Sequence, residues 1–303
     1  MYETHFGLNE QPFGLTPNTA YFLNAQGHRE AFNMLQVALA NGEGFIKVIG
    51  EVGTGKTMLC RKLLNTLDDS YYTAYIPNPF LNPAALYRAV AEELGIKCRT
   101  RDGINEYQQA INRRLVELVG EGRKVVLVID EAQAMPPKTL EALRLISNLE
   151  TETTKLVHIV LFGQPELDRL LDHESLRQLR QRISFSYNLP PLDRDGTTQY
   201  INHRVTTAGY NGDQLFEDSA LDCLYRVSRG VPRLINVLSH KALMSAYGKG
   251  ARHIEKHHVA AAVKDTDGVT MPRLLSDFGW AMSLLAVAGV ALALMALLPG
   301  VTR

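Results

Sequence analysis

Cysteine is scarce in this chain. Only Cys60, Cys98 and Cys223 occur, far apart and without a Cys-x-x-Cys pair. That excludes a disulfide scaffold and a cysteine metal site, and it fits a reducing compartment where thiols serve as small buried residues. Charge of one sign is also missing: 32 Lys and Arg offset 32 Asp and Glu. Such balance argues against a general nucleic-acid-coating protein, although it leaves room for a local basic patch. No basic run leads into an apolar segment behind Met1, so no signal peptide is expected. His253, His257 and His258 lack a convergent set of partners, so no histidine metal site is expected either. Charge-free apolar runs are missing except for Gly279 to Leu298. What remains is ordinary globular material: a hydrophobic share of 46% over 303 residues supports a substantial core and about two domains.

The most informative stretch is Gly50-Glu51-Val52-Gly53-Thr54-Gly55-Lys56-Thr57, which fits G-x-x-x-x-G-K-[ST] without a mismatch. Phe45 to Ile49 reads as a strand before it, and Met58 to Leu67 reads as a helix after it. The glycines let backbone N–H groups turn inward around phosphate, and the helix N-terminus adds favourable dipole charge. Glu51 to Met58 are thus the expected nucleotide-binding residues. Lys56 would reach the β- and γ-phosphates, and the Thr57 hydroxyl would ligate Mg²⁺.

The rest of the first two-thirds alternates strand and helix. Aromatic Tyr21 and Phe22 stand in an irregular opening, either to stack on a base or to anchor the N-terminal arm to the core. A helix follows over 28–40, then the phosphate-loop unit, a strand over 71–76, and helices over 83–94 and 104–119. Asn82 and Pro83 open the first of these as cap and first residue. Val125 to Ile129 is an uninterrupted apolar run, as expected of a buried parallel strand. Asp130 and Glu131 stand at its C-terminal end, where ligands bind in open α/β sheets. Asp130 would hold Mg²⁺ through water, and Glu131 would polarise an attacking water. Neighbouring residues on a strand point to opposite faces, so Glu131 needs the strand-end turn to bring it into the site. A helix over 137–150 and a strand over 156–162 come next. Gln164 ends that strand at the same edge as Asp130, there to orient water, to touch the γ-phosphate or simply to cap the strand. Helical text from Leu167 to Leu179 leads to Arg177, Arg180 and Arg182, and Ile183 to Tyr187 alternates as a strand does. A cluster of this kind is either a solvated face or, in an oligomer, a source of charge for a neighbour's γ-phosphate.

Beyond Pro190-Pro191 only helices are expected, over 195–208, 218–227, 232–247 and 255–263. Arg233 sits near a helix N-terminus, the unfavourable end for a cation, and a phosphate partner would explain it. The apolar twenty-mer is just long enough to cross about 30 Å of hydrocarbon. Trp280 at its start suits an interface, and Lys264 and Arg273 before it place the N-terminal body in the cytoplasm.

Taken together, the chain resembles the AAA+ ATPases of the general secretion pathway protein A (ExeA) family, and within them the MshM-type ATPases of mannose-sensitive haemagglutinin (type IV) pilus biogenesis. The resembling text is Phe6-Gly7-Leu8 with Pro12-Phe13, the phosphate loop, Asp130-Glu131-Ala132-Gln133 and Phe162-Gly163-Gln164-Pro165-Glu166. Leu179-Arg180-Gln181-Arg182-Ile183 and Gly230-Val231-Pro232-Arg233 complete it. The resemblance implies that Lys56 and Thr57 are the Walker A pair, with Asp130 and Glu131 the Walker B pair. It puts Gln164 at sensor 1, Arg233 at sensor 2, and the trans-acting arginine finger at Arg180 or Arg182, with Arg182 favoured. Unlike relatives with a periplasmic peptidoglycan-binding region, this sequence has only 299–303 after the apolar segment, so the resemblance implies a membrane protein that supplies that part.

The expected fold is therefore an α/β P-loop NTPase of AAA+ type, a parallel sheet between helices, with a C-terminal helical lid and one transmembrane helix. The expected divisions are core and arm over 1–192, lid over 193–265, linker over 266–277, membrane helix over 278–298 and tail over 299–303. The expected function is Mg²⁺-dependent ATP hydrolysis by a homo-oligomer, drawn as a ring, anchored in the bacterial inner membrane with its ATPase domain in the cytoplasm. It would support a membrane-embedded pilus or secretion assembly protein, with nucleic acid not expected as a partner. A DNA-transaction ATPase and an ATP-gated scaffold with little turnover are the alternatives.

Overall fold

The computed structural model describes residues 1–97, 103–150 and 155–270. Five short runs form one parallel sheet: β1 (Phe45–Ile49), β2 (Tyr71–Ile76), β3 (Lys124–Ile129), β4 (His158–Gly163) and β5 (Ile183–Asn188). Their order across the sheet is β2-β3-β4-β1-β5. Every pairing is parallel, for example Ile129 with Leu161 and Ile49 with Gly163. The central strands are apolar at nearly every position because helices cover both faces, and β4 is buried throughout. Edge strand β5 instead alternates half-buried with exposed residues.

One face is covered by α2 (Gln26–Ala40) and α3 (Lys56–Thr66), which follow the short opening helix α1 (Tyr2–Phe6). Leu35, Leu39, Leu59 and Leu63 pack there on Ile46, Val128 and Phe162. The other face carries α4 (Pro83–Glu93), α5 (Ile104–Gly120), α6 (Pro137–Ser147), α7 (Glu166–Leu171) and α8 (Arg177–Arg182). Helix α4 begins as its sequence demands: the Asn82 side chain accepts from the Ala85 N–H at 2.9 Å, and Pro83 takes the first turn. The helical text expected from Leu167 to Leu179 is broken by a 3-10 turn over Glu174–Leu176, which separates α7 from α8.

The lid consists of α9 (Arg194–Thr207), α10 (Asp218–Ser228), α11 (Pro232–Gly248) and α12 (Lys256–Lys264). Its apolar core also takes in Tyr2, Phe6, Leu8, Phe13 and Tyr21 of the N-terminal arm. Phe13 meets Phe216 edge to face with ring centres 5.8 Å apart, and Tyr2 Oη lies 2.9 Å from His240 Nδ1. The arm thus packs mainly into the lid, with Phe22 on the α/β core and the Pro17 carbonyl accepting from Arg61 of α3 at 2.9 Å, a long-range choice that its irregular sequence does not announce.

One expectation is corrected here. Among the described residues no helix is long and apolar enough to cross a membrane. The longest, α5 and α11, have 17 residues each and bury one stripe against neighbouring elements. A span needs about 20 largely apolar residues. The segment expected as the membrane helix, 278–298, lies outside the described residues. Among the described residues the fold class is accordingly an α/β P-loop fold with a parallel sheet and a helical lid, and no transmembrane helix is found there. The lipid bilayer as a partner and the single-pass inner-membrane placement rested on that segment, and no helix among the described residues supports either.

Candidate active site

The phosphate loop continues β1 by one rung, since the Gly50 N–H donates to the Gly163 carbonyl at 3.1 Å. Two glycines then take left-handed conformations, Gly53 at φ +81° and Gly55 at φ +100°. Gly55 is also pressed from below: a Cβ there would lie 2.8 Å from His28 Nε2. His28 is buried on α2 and donates through Nε2 to the Thr54 carbonyl at 3.0 Å, bracing the loop from underneath. Burial pushes the His28 pKa below its ordinary 6.5, so the ring is neutral at neutral pH.

Lys56 begins α3 and is buried. Its ammonium donates to the carbonyls of Gly50 at 2.8 Å and Glu51 at 2.9 Å, which folds it back onto its own loop. Burial lowers the Lys56 pKa, while the carboxylates of Glu131 and Asp130 oppose that shift. The Thr57 hydroxyl donates to Asp130 Oδ2 at 2.8 Å, and the Glu131 N–H donates to Asp130 Oδ1 at 2.9 Å. Desolvation raises the Asp130 pKa, with those two hydrogen bonds acting against it.

Glu131 turns the corner expected of it. It stands at φ 52°, one of two non-glycine residues with positive φ among the described residues. A left-handed glutamate is strained. The strain brings its carboxylate across to β4, where Oε2 accepts from Gln133 Nε2 at 2.6 Å and from Gln164 Nε2 at 2.9 Å. Gln133 Oε1 in turn accepts from the Gln164 backbone N–H at 3.0 Å.

Above the loop is a cavity of about 370 Å³, walled by the phosphate loop, the N-terminal arm and the lid. Val52, Gly53, Gly55, Lys56, Thr57, Met58, Glu131 and Arg233 all line it. Glu51, Thr54, Asp130 and Gln164 are not among its lining residues, although Thr54 is buried in the loop and Asp130 is buried at the end of β3. The arm contributes Leu15, Pro17 and Phe22, whose aromatic edge meets His28 with centres 5.7 Å apart. Tyr21 is buried yet also reaches the cavity wall. The lid enters through Arg233, whose backbone N–H donates to the Gly53 carbonyl at 3.2 Å. Arg180 and Arg182 do not line the cavity: Arg180 pairs with Asp172 at 2.8 Å, and Arg182 donates to Ser147 Oγ at 3.3 Å.

Three side chains at the site had not been singled out in sequence. Gln133 appears only as the last residue of the resembling run Asp130-Glu131-Ala132-Gln133, with no role assigned to it. His28 gives no signal, because its partner is a loop carbonyl 26 positions away. Arg204 is buried on α9 without a carboxylate partner. It donates to the Tyr200 hydroxyl at 3.0 Å, to the Gly14 carbonyl at 3.3 Å and to the Pro12 carbonyl, and lies over the Tyr21 ring at 4.6 Å.

A model of the AAA domain matches residues 39–171. The chain is 38% identical to the general secretion pathway protein A of Aeromonas hydrophila over 269 residues, 89% of this chain and 49% of that protein. It therefore spans about half the length of that relative. It is 22% identical to the ATP-dependent target DNA activator B of Escherichia phage Mu, over 83% of this chain and 75% of that protein. Among solved structures, the ORC2 protein of Aeropyrum pernix, in ADPNP–ADP complexes, is similar with a TM-score of 0.64 and 16% identity. That likeness covers 86% of this chain and 73% of that one, and it concerns the fold. These matches reach the secretion-pathway relation but not the MshM-type subgroup. They also correct two expectations about partners. The membrane-embedded pilus or secretion protein is not retained, because no helix among the described residues could cross a membrane and the match covers only 49% of the secretion protein. The expectation that nucleic acid is no partner loses its support, since a relative matched over 75% of its own length is named for target DNA.

Proposed function

We propose, for an AAA+ ATPase related to the general secretion pathway protein A, that ATP hydrolysis moves the helical lid in the service of a DNA transaction. The likeness to the target DNA activator carries the DNA half, because it runs over 83% of this chain and 75% of that protein. The balanced net charge is no obstacle. It is a total, and exposed Arg169, Arg177, Arg180 and Arg182 crowd the short helices α7 and α8.

The chemistry is proposed from the site's own residues. Backbone N–H groups of the phosphate loop cradle the triphosphate, and Lys56 exchanges its two loop carbonyls for phosphate oxygens. The Thr57 hydroxyl and the Asp130 carboxylate form a hard-oxygen pair that fits Mg²⁺. Among the described residues no group of three His, Cys, Asp or Glu could hold a metal ion. Mg²⁺ needs none, since it keeps waters and shares substrate phosphates. When bound, it neutralises charge on the β- and γ-phosphate oxygens. Glu131 takes the proton of the attacking water as its oxygen bonds to the γ-phosphorus. The bond from the γ-phosphorus to the bridging oxygen breaks, and that oxygen leaves with ADP. Gln164 stands on the Glu131 carboxylate where it can also meet the γ-phosphate. Arg233 ties this event to the lid, and Arg182 or Arg180 of a neighbouring copy completes the site in an oligomer.

The test pairs two measurements on the full chain. ATP turnover is expected to fall roughly 10²- to 10⁴-fold in Glu131→Gln with nucleotide still bound. Fluorescence anisotropy with duplex DNA and the non-hydrolysable analogue ADPNP is expected to show binding that weakens linearly in log–log form with salt. Absence of DNA binding even at about 50 mM salt would overturn the DNA reading. Wild-type turnover in Glu131→Gln would overturn Glu131 as the base.

A further inference from the structure

Gln133 makes three-way contact that no phosphate-binding role requires. The paired register of β3 and β4 ends at Ile129 and Leu161, so the Gln164 N–H lies beyond the last rung between them. Gln133 Oε1 takes that N–H at 3.0 Å, while its Nε2 donates to Glu131 Oε2 at 2.6 Å. One carboxamide therefore uses both ends to join the tip of one strand to the tip of the next. Gln164 Nε2 closes the triangle on the same Oε2 at 2.9 Å. Both donors fall on one oxygen, and Oε1 of Glu131 accepts no hydrogen bond from the described residues. The carboxylate lines the nucleotide cavity.

We propose that Gln133 is a positioning residue for ATP hydrolysis: it holds Oε2 of Glu131 and the backbone of Gln164 together, so that Oε1 is presented to the attacking water. This rests on the reading of Glu131 as general base. Three features converge on it. Glu131 sits in a strained left-handed turn, which relaxes unless its surroundings hold it. Charged hydrogen bonds such as those to Oε2 are the strong ones. Gln164 has a second possible acceptor in the γ-phosphate, and Gln133 has none. As Gln164 turns toward substrate, Gln133 alone keeps the carboxylate aimed.

The prediction is a split between turnover and binding. In the full chain, Gln133→Met keeps length and volume but removes both hydrogen bonds. Gln133→Glu keeps an acceptor for the Gln164 N–H and sets a second carboxylate against Glu131. Both are expected to lower kcat roughly ten- to a hundredfold, the worth of a hydrogen bond to a charged group. KM and the affinity for ADPNP are expected to stay within about twofold. Combining Gln133→Met with Gln164→Ala is expected to cost no more than about threefold beyond the worse single change, because residues acting as a unit are not additive. Unchanged kcat in Gln133→Met, a loss shared equally by KM and ADPNP binding, or fully additive losses would overturn the inference. Glu131→Gln run alongside separates the layers. If it is inactive and Gln133→Met turns over at the wild-type rate, only the role of Gln133 fails. If Glu131→Gln turns over normally, the general-base reading fails and takes this inference with it.

Discussion

The backbone N–H of Arg233, in the first turn of a lid helix, donates to the carbonyl of Gly53 in the phosphate loop at 3.2 Å. Lid and loop therefore touch through main chain, before any side chain is considered. The approach is close enough that a Cβ on Gly53 would fall 2.6 Å from Arg233 Cβ, at a φ of +81°. Gly53→Ala is expected to cost about 1–2 kcal/mol in backbone conformation alone, with the clash added. The outcome to check is a lower melting temperature together with weakened ADPNP binding.

Arg204 holds the arm to the lid without a carboxylate. Its guanidinium is buried and satisfied by carbonyls of the arm, the Tyr200 hydroxyl and the face of Tyr21. Arg204→Met is expected to lose about 3 kcal/mol through these charged hydrogen bonds. Limited proteolysis should then cut within residues 14–23, most of which wall the cavity. Lysine is not expected to rescue, since it lacks the planar fork that meets several acceptors while stacking on a ring.

His28 predicts an acid limit. Burial lowers its folded pKa below the ordinary 6.5, so below 6.5 the unfolded chain binds the proton more readily than the folded one. Its contribution to stability is complete above 6.5 and is lost as pH falls through that window. Melting temperatures of the wild type are expected to drop as pH falls below about 6.5. Subtracting the same series for His28→Asn isolates the His28 share, and the variant is expected to show the shallower slope.

The exposed arginines predict complementation between copies. The Arg180 and Asp172 side chains are 63% and 65% exposed, which makes their pair a weak one that a partner can displace. Neither Arg180 nor Arg182 lines the cavity of its own chain. A Lys56→Ala protein and an Arg182→Ala protein are each expected to be nearly inactive. Mixed, they are expected to recover part of the ATP turnover, because one site in the mixture pairs an intact loop with an intact arginine. Recovery with Arg180→Ala instead of Arg182→Ala would assign the finger to Arg180.

The strand ends were legible in the sequence and the connections between them were not. Val125 to Ile129 reads as a buried strand because every position is apolar, and that puts Asp130 and Glu131 at the sheet's C-terminal edge. It says nothing of Gln133, whose two hydrogen bonds depend on β3 and β4 being neighbours. The aromatics of the arm left two readings open, and they divide: Phe22 lines the cavity, whereas Tyr21 is buried in the lid's core while touching the cavity wall. The apolar segment at 278–298 was the strongest sequence signal for a membrane. Apolar length carried it, with Trp280 at its start; the segment lies outside the described residues, and no helix among those has the length and apolarity for a span.

By itself, the sequence determined the local chemistry: a glycine-rich loop between strand and helix, Lys56 and Thr57 at the helix start, and a carboxylate pair after an apolar strand. These follow from short-range rules of spacing, capping and backbone freedom. Only the tertiary structure decided which distant groups meet them. His28 under the loop, Arg233 on Gly53, Arg204 in the arm and Gln133 between Glu131 and Gln164 are hydrogen bonds across long sequence separations. Their partners are largely backbone groups, which carry no residue type, so no pattern of letters reports them until the chain has packed.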